Sequence, residues 1–167
     1  LYNVQVSFYK CIYLLRDKKY MASKKSIRTR FIFEQLPVRG VQVQLNELWQ
    51  EIRKQKDYPE PVEQILGQLL AAGILLSSNL KQNGKLILQI QGTGILNLAV
   101  VEVTSDLTCR ATARWQGFEP DQMSDHSLMT LAGKNAQFVM TVQPDDGSPW
   151  QGIIAITEQK KKKMLMD

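Results

Sequence analysis

Soft metal ligands are scarce in this chain, which holds two cysteines and one histidine in 167 residues. A structural zinc site takes four thiolate or imidazole ligands around one ion, and Cys11, Cys109 and His126 fall short of that number. The two cysteines form no Cys-x-x-Cys or Cys-x-Cys pair. Long hydrophobic runs are also missing: no apolar stretch approaches the ~20 residues that cross a bilayer, so no membrane partner is expected. The best candidate for a secretory leader, Cys11 to Leu15, is short, sits among polar residues and lacks a small-residue cleavage site. A cytoplasmic location is the expectation.

A basic groove is absent as well. The net charge of +5 invites a nucleic-acid reading, but residues 1–30 carry eight Lys or Arg against one Asp, and residues 160–167 carry four Lys against one Asp. The intervening body holds nine basic and fourteen acidic residues. A nucleic-acid interface needs its positive charge on the face of the fold, so no nucleic-acid partner is expected.

Catalytic constellations are no better represented. The glycine pair Gly92 and Gly94 flanks Thr93, but a phosphate cradle needs a helix N-terminus directly after it, and Ile95 to Val101 reads as strand; a tight hairpin connection is expected instead. His126 lies in a polar stretch with Asp121 and Asp125, and neither Ser124 nor Ser127 stands in a nucleophile turn. Asp145 and Asp146 precede Gly147 and read as turn formers. Cys109 beside Arg110 is a candidate for a slightly acidified thiol, set against a buried strand cysteine. Arg39, Arg110 and Arg114 are read as strand residues in salt bridges. Trp49, Trp115 and Trp150 are read as core or half-buried anchors. No catalytic, cofactor-binding or metal-binding residue is assigned.

What is present is the makings of one domain. A hydrophobic content of 44% with 22% charge is ordinary for a soluble globular chain, and the length allows a core without disulfides. Strands are expected at Arg28 to Gln35 and Val38 to Gln44, with Phe31 and Phe33 on one face. A helix capped by Asn46 follows, striped by Leu45, Leu48, Trp49 and Ile52. Pro59 and Pro61 open a second helix, on which Val62, Ile65, Leu66, Leu69, Leu70, Gly73, Leu76 and Leu80 recur at helical spacing. Ala71 to Leu76 is apolar nearly all round, which predicts burial on more than one side. Gly67 and Gly73 are expected to admit a neighbouring strand closely.

From Gly84 the period becomes two. Leu86, Leu88 and Ile90 alternate, and further strands are expected at Ile95 to Val103, Thr108 to Trp115, Gln137 to Gln143 and Trp150 to Thr157. Asn83-Gly84 and Asp146-Gly147 are hairpin signals. The pairs Gln91-Gly92, Gln116-Gly117 and Gln151-Gly152 read as bends or strand ends. Between Phe118 and Asn135 lies a polar loop with one helical turn near Ser127 to Leu131. The fold class is α+β: a mixed, largely antiparallel sheet layered with helices.

Several of these segments carry a resemblance. RTRFIFE at residues 28–34, PVRG at 37–40, DYPEP at 57–61 and GKLILQIQGTGILNLAVVEV at 84–103 resemble the redox-regulated 33 kDa heat-shock chaperonin family, along a stretch that starts near Ile27 and fades after Ile156. The resemblance implies a holdase, a protein that binds unfolded client polypeptides without hydrolysing anything. It also implies the fold of that family's N-terminal core domain. Intact members bind zinc through four cysteines, in a Cys-x-Cys and a Cys-x-x-Cys pair, and oxidation of these releases the metal and exposes client-binding surface. Those pairs are missing here, so no cofactor and no redox switch are expected in this chain.

On this basis residues 1–20 are expected to be a non-native extension ahead of Met21, although Tyr2 to Phe8 also alternates as a strand does. Residues 21–158 are expected to be a truncated core domain. Residues 159–167, with Lys160 to Lys163, are expected to be an aberrant tail after a frameshift or early stop, with linker and zinc module absent. Unfolded clients are the expected partners, their contact residues not legible in the sequence, and a homodimer is left open. The rival readings are an inactive truncated product and an enzyme of unknown type.

Overall fold

In the computed structural model, which describes residues 25–80, 83–118 and 127–157, the first element is a hairpin of β1 (Ile27–Ile32) and β2 (Arg39–Gln44), paired antiparallel with Phe31 opposite Gly40. The Phe31 ring lies so close over Gly40 that a side-chain carbon there would fall inside it. Phe31 and Phe33 share a face as expected, their rings edge to face at 5.7 Å. The expected extension at residues 1–20, the start at Met21, the strand at Tyr2 to Phe8 and the tail at 159–167 lie outside the described residues.

Helix α1 (Asn46–Lys54) starts one residue earlier than capping logic predicts. Leu45 occupies the cap position, no side chain caps from there, and Asn46 is already helical. The cap is tertiary instead: the amide of Leu48, in the first turn, donates to Ser26 Oγ at 2.9 Å. A serine 22 residues upstream thus satisfies one of the orphan amides every helix start leaves.

Helix α2 (Glu60–Ser77) follows the proline signal: Pro59 stands at the cap and Pro61 in the first turn, where no intrahelical amide is needed. Its buried stripe is Val62, Ile65, Leu66, Leu69, Leu70, Gly73, Ile74 and Ser77. The expected burial on more than one side is not found. Leu76 is exposed and Ala71, Ala72 and Leu75 are half-buried, because among the described residues the helix has a sheet beneath it and nothing of comparable size above. Gly73 does admit a strand: a methyl there would stand 3.1 Å from both Val101 Cγ1 and Val103 Cγ2. Gly67 does not; it faces the Trp49 indole of α1, 3.3 Å from where a methyl would be.

The main sheet contains β3 (Gly84–Gln91), β4 (Leu96–Thr104), β5 (Cys109–Trp115), β6 (Gln137–Pro144) and β7 (Trp150–Ala155), in the order β5-β4-β3-β6-β7. Every pairing is antiparallel, and with the helices on it the class is α+β. Alternation decides which face each residue takes. Leu86, Leu88 and Ile90 of β3 stand beside Val103, Val101 and Ala99 of β4, all buried under α2. Ala111 and Ala113 of β5 extend that layer. A short helix α3 (Leu128–Ala132), capped by the Ser127 hydroxyl, sits in the connection from β5 to β6, near the helical turn the sequence suggested.

Of the two hairpin signals, Asp146-Gly147 holds: residues 145–147 turn the chain between β6 and β7, and Gly147 has φ of +122°. Asn83-Gly84 does not. It brings the chain from α2 into β3, and Gly84 (φ +148°) is pressed against the backbone of Gln143 and Pro144. Gln91-Gly92 and Gln116-Gly117 end strands as expected, whereas Gln151-Gly152 lies inside β7, where the Trp150 ring folds across Gly152.

Because Leu70 is fully buried on the sheet-facing stripe of α2, Leu70→Ala is expected to lower unfolding free energy by about 3 kcal/mol with little change in the native circular-dichroism spectrum. Urea denaturation measures this. A loss under about 1 kcal/mol contradicts the packing described here.

Candidate interaction surface

Cys109 opens β5, half-buried, with its thiol donating to the Leu107 carbonyl at 3.3 Å. Burial, seconded by the charge of Asp106, pushes the thiol up to about 11. Arg110, its neighbour in sequence, points to the opposite face of the strand and does not acidify it. Of the two readings of Cys109, the buried strand cysteine is therefore the one that fits, and the acidified thiol is not found. Cys11 and His126, with Asp121, Asp125 and Ser124, lie outside the described residues.

Asp106 owes its own environment to the β4–β5 turn. Hydrogen bonds from the Thr104 hydroxyl, and from the amide and hydroxyl of Thr108, hold its carboxyl below the usual range. The same turn places Leu107 at φ +69°, a backbone conformation uncommon for residues other than glycine. These are the marks of a tight connection between strands, and Asp106 is exposed.

The Gly92-Thr93-Gly94 loop joins β3 to β4, as expected. Its amides are already used: Thr93 and Gly94 both donate to the Ala132 carbonyl at the end of α3, at 2.8 and 2.9 Å, and Gly92 donates to Asn97 at 2.9 Å. An incoming phosphate finds no free donor there. The glycines are needed because α3 rests on them; a methyl at Gly94 would come within 2.6 Å of the Leu131 carbonyl oxygen. Asp145 and Asp146 are exposed in the β6–β7 turn, where they converge on no common point with another ionisable group.

Among the described residues, Arg39, Arg110 and Arg114 do not form the expected salt bridges. The ion pairs among the described residues are Arg53–Glu63, Lys54–Glu51 and Lys85–Glu102. Arg110 lies opposite Glu102 in register, but Glu102 turns to Lys85 at 3.6 Å. Trp115 is a half-buried anchor: Lys56 lies 4.2 Å from its ring centroid and donates to the Ala113 carbonyl, and Tyr58 packs beside it at 5.4 Å. Trp49 is likewise half-buried against the core. Trp150 is not.

The surface that stands out is apolar. Helix α2 packs on β4, β3, β5 and β2, so its cover runs toward the β5 side of the sheet. On the other side, Phe138, Met140 and Val142 of β6 are only half-buried. On β7 the side chains are bare: Trp150 is 55%, Ile153 58% and Ile154 65% exposed. Trp150 and Ile154 share the helix-side face with Phe138 and Val142, while Ile153 points to the other face beside Val139. Sequence reasoning assigned no residue to this surface. The signal was present as the uncharged run at 150–156, apolar on both faces from Ile153 onward, which suits a strand covered on both sides.

Among the described residues, no group of three or more His, Cys, Asp or Glu side chains can hold a metal ion, and no helix is long and apolar enough to cross a membrane. With a single half-buried, protonated thiol, the described residues do not fit a thiolate zinc site.

Comparison with known proteins places this geometry. The model of the Hsp33 protein family matches residues 27–166. The 33 kDa chaperonin of Neisseria meningitidis serogroup A is 49% identical over 145 residues, covering 87% of this chain and 48% of that protein. That of Chromobacterium violaceum is 43% identical over 138 residues, covering 81% and 46%. The crystal structure of the 33 kDa chaperonin from Thermotoga maritima superposes with a TM-score of 0.67 at 17% identity, over 81% of this chain and 47% of that one; at that identity it speaks to the fold. The chain thus spans about half the length of the relatives it matches.

Two outcomes follow from the local geometry. Cys109 is expected to react with an alkylating agent at pH 7.5 more slowly than a free cysteine, and to gain rate as pH rises from about 9 through about 11. Peptide mapping by mass spectrometry separates it from Cys11, and rapid labelling of Cys109 at neutral pH contradicts the described environment. Second, Gly94→Ala is expected to destabilise the fold by about 2 kcal/mol, read as a lowered midpoint of thermal unfolding.

Proposed function

The chain belongs to the Hsp33 protein family, and on that premise we propose that it is a holdase: it binds unfolded client proteins through exposed apolar surface and catalyses no reaction. The supporting observation is the bare apolar strand β7, with Trp150, Ile153 and Ile154 more than half exposed. Unfolded chains present apolar side chains to water, and a standing apolar patch competes for them before they meet one another. The names of the relatives, 33 kDa chaperonin, support the same reading. Client binding requires no convergent acid, base or nucleophile, and the described ionisable groups offer no such cluster. A cytoplasmic location is part of the proposal.

The binding is proposed to be independent of oxidant. A thiolate switch needs several reactive cysteines close together, and the chain offers Cys11 and Cys109, the latter a thiol held protonated. No zinc is assigned to it.

Light scattering from a thermally unfolding client tests both statements. The full chain is expected to suppress scattering, to the same extent with and without hydrogen peroxide, and to carry no stoichiometric zinc. Absence of suppression by soluble material with a cooperative melt refutes the holdase reading. Suppression that appears only after peroxide refutes the oxidant-independent part.

A further inference from the structure

Independently of the holdase reading, we infer that the connection between α1 and α2 is a strap that guards strand β5. Lys56 holds a backbone carbonyl that an incoming strand would need, and so keeps a second copy of the chain from pairing along β5. Three features carry the inference.

The first is where the β5 backbone points. In an antiparallel ladder, opposed residues alternate between pairs that exchange amide-to-carbonyl bonds and pairs that do not. The Thr104 amide donates to the Thr108 carbonyl at 3.0 Å. In that register Glu102 with Arg110 and Val100 with Thr112 are bonded pairs, while Val101 with Ala111 and Ala99 with Ala113 are not. The amides and carbonyls of Ala111 and Ala113 therefore point away from β4. A row of such groups is a template for a further strand.

The second is what occupies that row. Lys56, in the connection between α1 and α2, donates from Nζ to the Ala113 carbonyl at 3.0 Å. Its ammonium also lies 4.2 Å from the Trp115 ring centroid, within the range of cation–π attraction. A strand pairing with β5 would have to place an amide where Nζ now stands. Lysine is a residue that proteins commonly use to deter edge pairing. Here it is delivered from another element: Arg110 and Arg114 of β5 itself lie on the sheet face away from buried Ala111 and Ala113, whereas Lys56 comes in along the edge.

The third is how the strap is anchored. Ile52 on one side of Lys56 and Tyr58 on the other are both buried in the core, and the Tyr58 ring packs against Trp115 at 5.4 Å. Arg53 and Glu63 close the connection with an ion pair at 2.7 Å. Lys56 is held between fixed points, so its ammonium reaches β5 with little backbone freedom left to lose. A second copy of the chain is the occupant this strap excludes. β5 presents the same outward row on every copy, and antiparallel pairing about a twofold axis makes such a contact self-complementary.

The test compares the full chain with Lys56→Met, which keeps an apolar stem but loses the charge and the donor, and with Lys56→Arg, which keeps both. Sedimentation velocity over a range of concentrations reads self-association, and hydrogen exchange reads the amides of residues 109–115. Lys56→Met is expected to self-associate at least about tenfold more tightly than the parent chain, with exchange at Ala111 and Ala113 slowing as concentration rises. Lys56→Arg is expected to sediment as the parent does. Adding Ala111→Pro to Lys56→Met removes an outward amide, a loss that an edge strand tolerates, and is expected to restore the parent's sedimentation. A thermal melt checks that this double variant folds; where it does not, the exchange pattern of Lys56→Met decides. Unchanged association of Lys56→Met overturns the guard, even if its melt is lowered, because Lys56 is then a structural tie and nothing more. Association whose protection falls outside residues 109–115 overturns it too, as does equal association of the methionine and arginine variants.

Discussion

The contact between α2 and the sheet is what the rest of the molecule hangs on. One stripe of the helix, from Val62 to Ser77, lies over β3, β4 and β5, and Gly73 lets the backbone settle onto Val101 and Val103. A larger residue at 73 would lift the helix off the two central valines and open a gap along Leu66 and Leu70, where packing density is the source of stability. Close approach at this point fixes the position of the helix over the sheet. It therefore also decides which strands go without cover. The helix is 18 residues long and lies to one side, so β6 and β7 complete the hydrogen-bonded ladder without sharing fully in the core. Among the described residues, the exposed apolar strip lies where the helix does not reach.

Local rules carried the fold a long way. Alternation at Leu86, Leu88 and Ile90 reported the buried face of β3, and the prolines at 59 and 61 marked the start of α2. Where local reading failed, a distant residue had intervened. Asn46 looked like a cap, but Ser26, just ahead of β1, supplies the bond. Gly67 looked like a glycine facing a strand, but the Trp49 ring fills the space. Ala71 to Leu76 looked buried all round, because hydrophobicity records what a segment can bury, not what lies beside it. The surface on β7 escaped for the same reason. An uncharged run such as Trp150 to Ile156 reads as an interior strand, and only the strand order shows it at an edge. Of the cysteine, the sequence could show that Arg110 is adjacent; it could not show that the pleat turns that arginine away and leaves burial and Asp106 to set the thiol.

The edges of the sheet are unequal in kind. β5 ends the sheet with arginines spaced to face solvent and with Lys56, Tyr58 and Trp115 gathered at its end. β7 ends it with a glycine, two isoleucines and an indole. Among the described residues the difference separates a charged edge from an uncharged one, and it is written in the seven residues of β5 and the six of β7.

Trp150 has a further consequence. Its ring lies across Gly152 in the open strand, while Trp49 and Trp115 are lodged against the body. Of the three indoles it is the one most immersed in water, and so the one whose emission sits furthest to the red. Anything that dries the strand shifts that light toward the blue, so this indole is a lamp that reports whether the strand is wet or covered.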